Sequence, residues 1–542
     1  MTAFTGTGRL VQLALRRDRI QLPIWLVVIV GVLAALTSSV TGIYDTHQEQ
    51  LSYATTNVAS AVARAFNGAI AGPSLGSIVA AETFVFLSVI VALMSGMTVV
   101  RHTRQNEETG RSELIGAGVV GRHAPLTAAL IVTVGTNLVL AGGATGVLVA
   151  SGLPGSGSVA MGLALAGVGI SFAAIGAIAA QIPESARGAN GLTAAVLGGA
   201  FLLRAIGDVT GAPRPDGLAM DSGWVSWLSP IGWAQQIHPY DSPRWWPFGI
   251  LVGFFLVAVG FAFLLTAHRD VGMGMVPARR GPRTAPRWLL SPIGLAWRLH
   301  RGVLLGWTIA IAVLGLAFGT VSDEIDDFAE TSDAIAEYFT QMGGTDALLD
   351  AYLAYCMGLF GLAVAGYAVQ ALLRTRTEEA SGRLEPVLAA AVSRPRWMLS
   401  HLVCVLAGVV VLLLTAGVTV GLTYGLIAAD LWGQLLRLTG AALAQLPAVI
   451  VLAGLSAALF GLLPRWVTAV SWASFMICLL LEQIGELLEL PQAVLNLSPF
   501  AHIPNVPVEE VTASPLLVLS TIAIGLTVVG VLLHRRRDLT PA

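Results

Sequence analysis

Long, continuously apolar runs separated by short polar stretches make up most of this chain, and each run approaches the roughly 20 residues a helix needs to cross a bilayer core of about 30 Å. Twelve such runs can be marked, at 22–42, 78–100, 125–151, 159–181, 189–208 and 248–267, then at 303–320, 349–373, 398–426, 438–463, 467–485 and 516–534. Hydrocarbon supplies no partner for backbone N–H and C=O groups, so spanning segments are helices or closed barrels. These runs are too long and too evenly apolar for barrel strands. The pattern predicts an all-α polytopic membrane protein with twelve transmembrane helices. The first run follows Arg16, Arg17 and Arg19 and resembles a secretory signal. Its length, and a counterpart in mid-chain, argue against cleavage.

Composition agrees: 55% of the 542 residues are hydrophobic and 11% charged, and the mean hydropathy of +0.76 lies outside the ordinary soluble range. A net charge of −2 says nothing about partners, but the placement of the charges does. All 30 basic residues are Arg, and with alternating spans all but Arg64, Arg204, Arg214, Arg244 and Arg437 fall on one side. The positive-inside rule makes that side cytoplasmic, with both termini in and the plasma membrane as the expected location. Acidic residues dominate the other side, most densely in DEIDDFAETSDAIAE at 323–337, which reads either as a solvated external helix or as a cation-attracting vestibule. Cys356, Cys404 and Cys478 all lie in apolar runs, and the nine histidines lack ligand spacing. Neither a disulfide framework nor a metal site is indicated, and no nucleic-acid partner is expected.

The chain also carries two copies of one plan. RQNEETGRSELIGAGVVGR at 104–122 and RTEEASGRLEPVLAAAVSR at 376–394 share Arg, Glu, Gly, Arg, Glu and Arg at the same six places. LALRRDRIQLPIW at 13–25 matches LAWRLHRGVLLGW at 295–307, and LSP at 228–230 recurs at 497–499. The order predicts two parallel six-helix halves, 1–275 and 288–542, joined by a basic, proline-rich linker at 276–287. Each half opens on a helix mixing Leu, Val and Trp with Arg, suited to lying in the membrane interface.

Within the charged islands, Glu107 and Arg111 are four apart, as are Glu379 and Arg383, a spacing that supports a short helix. Topology alone would need only Arg. The added acids Glu107, Glu113, Glu379 and Glu385 fit a surface that meets another protein; the alternative is a solvated loop with local ion pairs.

Paired six-span halves, an amphipathic helix before each first span, a charged helix between spans 2 and 3, and a re-entrant-looking Ser-Pro segment between spans 5 and 6 together resemble the permease subunits of ABC-2 type exporters. The likeness is greatest to the fused, double-length actinobacterial permeases described as tetronasin or polyketide-antibiotic exporters. It covers essentially the whole chain and rests on the order of short motifs. The resemblance implies that the islands are coupling helices docking on an ATPase, through Arg104, Glu107, Gly110, Arg111, Glu113 and Arg122 in the first and Arg376, Glu379, Gly382, Arg383, Glu385 and Arg394 in the second. Two islands imply two copies of a separate ATPase subunit, which would hold the ATP and Mg. This chain has no Lys with which to build a phosphate-binding loop. It is expected to be a transport subunit without a catalytic site. The same resemblance leaves the cargo open between lipophilic or amphipathic drugs, lipids and glycans.

Twelve spans in two parallel halves also describe the major facilitator carriers. Against that reading stand the long 2/3 and 8/9 loops, the large external segments at 43–77 and 321–348, and the scarcity of mid-membrane ionisable groups. Glu82 reads as an interfacial carboxylate or as a cavity group favouring cations. Arg204 and Glu482 stand seventeen residues into equivalent spans, counted from Arg187 and Arg465, and either meet across the two halves or leave Arg204 paired with Asp208. The resemblance puts a substrate path along spans 2, 5, 8 and 11, where Phe84, Phe86, Met94, Phe201, Tyr355, Met357, Phe360, Trp472, Phe475 and Met476 suit adaptable apolar contact or plain helix packing. GWVSWLSPIGW at 223–233, with Trp245 and Trp246, reads as an aromatic belt or a gate.

Overall fold

The computed structural model describes residues 2–277, 281, 283–330, 345–390, 392–484, 490–509 and 512–539; of 321–330, 345–348 and 484 it describes only the helical backbone. The acidic run at 323–337 and part of the linker at 276–287 therefore lie outside the described side chains. The chain divides into two compact units, Met1–Gly281 and Pro282–Ala542. The first contains α1 (Thr7–Arg17), α2 (Gln21–Ile43), α3 (Leu75–His102), α4 (Ala124–Ala150), α5 (Gly155–Ala179), α6 (Ala186–Val209) and α7 (Trp246–Ala267). The second contains α8 (Pro292–Glu330), α9 (Thr345–Leu372), α10 (Arg394–Ile427), α11 (Leu431–Ala444), α12 (Leu446–Leu462), α13 (Val467–Ile484) and α14 (Ala513–Arg536).

Among the described residues, eleven helical segments are long and apolar enough to cross a membrane; the run expected at 467–485 appears as a shorter apolar helix, Val467–Gln483. α11 and α12 count as one such segment, interrupted at Gln445 ahead of Pro447, whose missing N–H and ring break the helix ladder.

The second span of each unit is among its most buried, and in the first unit α5 matches it at 72%. Some 72% of the apolar stretch of α3 is buried, and the same share of that of α9, against 17% for α7 and 17% for α14. α3 packs on α2, α4, α5 and α6, while α9 packs on α8, α10 and α12. Lipid tails are as apolar as Leu, so helices gain from meeting only where small residues let their backbones approach. A Cβ at Gly162 of α5 would stand 2.5 Å from the Ala141 carbonyl oxygen of α4, and one at Gly461 of α12 would stand 2.6 Å from the Gly530 carbonyl oxygen of α14. Asn137 adds a polar link, donating at 2.9 Å to Ser95 of α3.

Among the described residues, a helix of two turns or more that is separate from the first long apolar helix precedes it in the first unit only. There the chain breaks between α1 and α2 at Asp18, a buried carboxylate that caps α1 through its backbone N–H and pairs with Arg101 at 3.1 Å and His102 at 2.5 Å. In the second unit α8 runs unbroken through the corresponding place. His300 stands there instead of Asp18 and contacts His401 at 3.0 Å, so no carboxylate draws the chain toward the end of the central helix.

At the end of the first unit away from its charged island, a two-residue antiparallel pairing sets Ala212 opposite Asp221 and Pro213 opposite Met220. Arg214 ties this corner together, donating to Asp221 at 3.1 Å and Asp241 at 2.8 Å and lying 3.3 Å from His238. Burial, and then the charges of Arg244 and Arg214, push the His238 pKa down to about 4, against the opposing pull of Asp241 and Asp221. A base held below its unfolded pKa contributes stability that is complete above about pH 6.5 and is lost as pH falls toward about 4, for about 3 kcal/mol in all. His238→Asn tolerates the positive φ of 50° at this position. In thermal melts followed by tryptophan fluorescence, the wild type is expected to lose stability between pH 6.5 and 4 by more than the variant does; parallel curves would refute this.

Candidate functional site

Each charged island is two short helices joined by a glycine in the left-handed region. In the first unit, Arg104–Glu108 is followed by Gly110 at φ 72° and then by Arg111–Gly116. In the second, Arg374–Ala380 is followed by Gly382 at φ 70° and then by Leu384–Ala389. A residue with a Cβ pays roughly 1–2 kcal/mol for that backbone, which explains glycine at both turns.

The first helix of each island is anchored inward. Arg104 is fully buried, and its guanidinium donates to the Ala180 carbonyl at 2.7 Å, the Met273 carbonyl at 3.0 Å and Glu107 at 2.9 Å. Glu107 also receives a fork from Arg269, with Nη2 to Oε1 at 2.6 Å and Nη1 to Oε2 at 2.8 Å. Arg269 is held in turn by Gln181 at 2.6 Å, and its carbonyl accepts from Arg122 at 2.6 Å. In the second unit Arg537 forks onto Glu379 at 2.7 and 2.5 Å, and the Arg537 carbonyl accepts from Arg394. Arg376 lies on the first helix of this island, half-buried.

These forks correct the expected pairing of Glu107 with Arg111 and of Glu379 with Arg383. The glycine turn ends the first helix, so residues four apart no longer share a helical face. Arg383 instead lies 3.7 Å from Glu378, which also meets Arg374 at 3.3 Å. Glu107 and Glu379 are thus engaged by arginines inside their own units. The arginines that receive them, Arg269 and Arg537, were not singled out from the sequence. An Arg-Asp doublet just after the last span of each half, Arg269-Asp270 and Arg537-Asp538, was the available sign.

The second helix of each island faces out. Arg111, Glu113 and Leu114 are exposed in the first, with Val119 just beyond it, and Arg383, Glu385 and Pro386 in the second. The second helix of each island thus presents mixed charge, in the first beside exposed Leu and Val, on a braced support.

Arg204, Glu482 and Glu82 have partners inside their own units. Arg204 and Asp208, both fully buried, pair at 3.2 Å, and Arg204 also donates to the carbonyls of Arg64 and Ala65 at 3.2 and 2.6 Å. Of the two pairings open in the sequence for Arg204, this structure has the one with Asp208. Glu482 is exposed and accepts from Ser498 at 2.6 Å. Glu82 is half-buried and accepts from Tyr53 at 2.5 Å and Asn67 at 2.9 Å. Of the expected path residues, Phe84, Met94, Met357, Phe360 and Phe475 lie in the cores of their own units, whereas Phe86, Tyr355, Trp472 and Met476 are exposed. Phe201 is half-buried under the Arg204 guanidinium, 4.6 Å from ring to cation. The Ser of each LSP caps a turn: Ser229 accepts from the N–H groups of Ile231 and Gly232, and Ser498 from that of Phe500.

Comparison with known proteins points one way. A family model described as "Multidrug efflux system permease Rv1217c, C-terminal domain" matches residues 8–265 and 289–535. The chain is also 42% identical, over 539 residues, to the multidrug efflux system permease protein Rv1217c of Mycobacterium tuberculosis (strain ATCC 25618 / H37Rv), a match covering 99% of this chain and 96% of that one.

Proposed function

This chain belongs to the family of the multidrug efflux system permease Rv1217c, and we propose that it is the membrane subunit of an ATP-driven exporter of the ABC-2 type. In this reading it carries lipophilic or amphipathic small molecules out across the plasma membrane, with both termini cytoplasmic. Two copies of a separate ATPase subunit bind ATP and Mg and close on nucleotide. Their motion enters through the helices Arg111–Gly116 and Leu384–Ala389, and the permease alternates between inward and outward access. The chain's own work is vectorial, and no bond in the cargo is made or broken.

One observation carries this reading: both islands bury one acidic helix against the arginine that follows the last span and leave the next helix exposed beyond a left-handed glycine. A force applied at such a tip reaches the spans through a charged fork instead of dissipating in a loop. The test is affinity purification of the full chain, with identification of the co-purifying ATPase and its stoichiometry. Two ATPase copies per chain are expected. Reversing the exposed charges together, Glu113→Arg with Glu385→Arg, is expected to cut the retained ATPase at least about ten-fold while the permease melts normally. Proton-driven transport by purified chain with no ATPase attached would defeat the proposal.

A further inference from the structure

A cavity of about 990 Å³ lies beside the first island, between α1, the island's helices, the start of α4 and the chain after α7. Its size suits an organic ligand. Five arginines line it, Arg16, Arg17, Arg111, Arg122 and Arg269, against the carboxylates of Glu107 and Asp270. Glu107 is taken up by Arg104 and Arg269, and Arg122 by the carbonyls of Thr266 and Arg269. Arg16, Arg17 and Arg111 remain. Arg17 donates to the neutral side chain of Asn106 at 2.7 Å, and neither Arg16 nor Arg111 has a hydrogen bond or ion pair with any described residue. Burial, followed by the charges of Arg111 and Arg101 and against the opposing pull of Asp18, lowers the proton affinity of Arg17.

Beside the polar side chains of His102, Thr103, Ser112 and Gln181, the wall has an apolar part formed by Leu10, Leu13, Ala14, Ile115 and Leu126. Leu13 and Leu15 are exposed on α1, the amphipathic helix that precedes the first span. A free inorganic anion would use the guanidinium groups and leave that wall wet. A molecule with an anionic head and a hydrocarbon tail would use both.

We propose that this cavity is a binding site for an acidic phospholipid of the surrounding bilayer, its phosphate held between Arg16, Arg17 and Arg111 and an acyl chain lying along Leu10 and Leu13. Guanidinium groups suit phosphate because they donate in a planar fork. Arg16 and Arg17 belong to α1 and Arg111 to the exposed island helix, so one headgroup ties the docking tip to the membrane surface. In the matching stretch of the second half, Leu299 stands where the first has Arg17, so the aligned sequence does not repeat the cluster. The site is independent of the ATP-driven reading, because it needs only a chain embedded in lipid.

The test uses the full chain purified in detergent and loaded with dioleoyl phosphatidylglycerol or dioleoyl phosphatidylcholine, with bound lipid counted by native mass spectrometry. Retention of phosphatidylglycerol is expected to exceed that of phosphatidylcholine by about ten-fold or more. Arg17→Gln with Arg111→Gln is expected to abolish the preference, the corresponding Lys pair to keep part of it, and Arg19→Gln, outside the cavity, to keep all of it. Equal retention of the two lipids by the wild type overturns the proposal whether or not any variant folds. A preference that survives in the Gln pair overturns this location. Displacement of the lipid by millimolar inorganic phosphate alone would identify a free-phosphate site and overturn the lipid assignment.

Discussion

Glu107→Ala is expected to cost about 3–5 kcal/mol, because it removes the one carboxylate among the described residues that pairs with the guanidinium groups of both Arg104 and Arg269. Arg104 is fully buried there and the Arg269 side chain is 6% exposed. Most of the loss comes from stranding those two cations rather than from the bonds themselves. Glu107→Gln keeps the shape and removes the charge, so it should fall between the wild type and the Ala variant. The second island supplies an internal replicate: Glu379, 1% exposed, faces Arg537, and Glu379→Ala should fail in the same way. Melting midpoints in detergent and growth under drug challenge would report stability and export together. Normal melting and efflux in both Ala variants would show that the forks do not brace the islands.

The second large effect is expected at Arg204. Arg204→Met strands the Asp208 carboxylate, which is completely buried and is then left with the neutral side chains of Gln235, at 3.0 Å, and Ser222. It also deprives the carbonyls of Arg64 and Ala65 of their donor. A loss of about 3–5 kcal/mol follows from leaving one member of a buried pair alone. Adding Asp208→Leu removes the stranded charge and should recover roughly half of that loss, the two carbonyls accounting for the remainder. Recovery of a monodisperse peak on size exclusion, together with the melting midpoint, measures this. Glu482→Gln, at an exposed carboxylate held by Ser498, should leave the midpoint unchanged. Were Glu482→Gln as damaging as Asp208→Asn, Arg204 would depend on Glu482 as well.

The contrast between these two sites shows what could be read from the chain. Arg204 and Asp208 are one helical turn apart, so their pairing was open to inspection as one of two possibilities. Glu107 and Arg269 are 162 residues apart, and Glu379 and Arg537 158 apart, so no local spacing announces either fork. Spacing pointed instead to Arg111 and Arg383, which stand across a glycine turn and face outward. The same glycines were visible as letters, but their positive φ was not.

The membrane class, the helical form of the runs, the position of the two islands and the cap at each LSP are carried by the linear sequence, because hydropathy and backbone hydrogen bonding act over one or two turns and need no partner from elsewhere. Three-dimensional packing alone decided which carboxylate meets which guanidinium, that α1 is separate while α8 is continuous, and that Arg16, Arg17 and Arg111 line one cavity with Leu10 and Leu13. The reason is desolvation: an ion pair is chosen by which charges are excluded from water together, and that depends on how close the glycine-lined helices bring segments far apart in the chain.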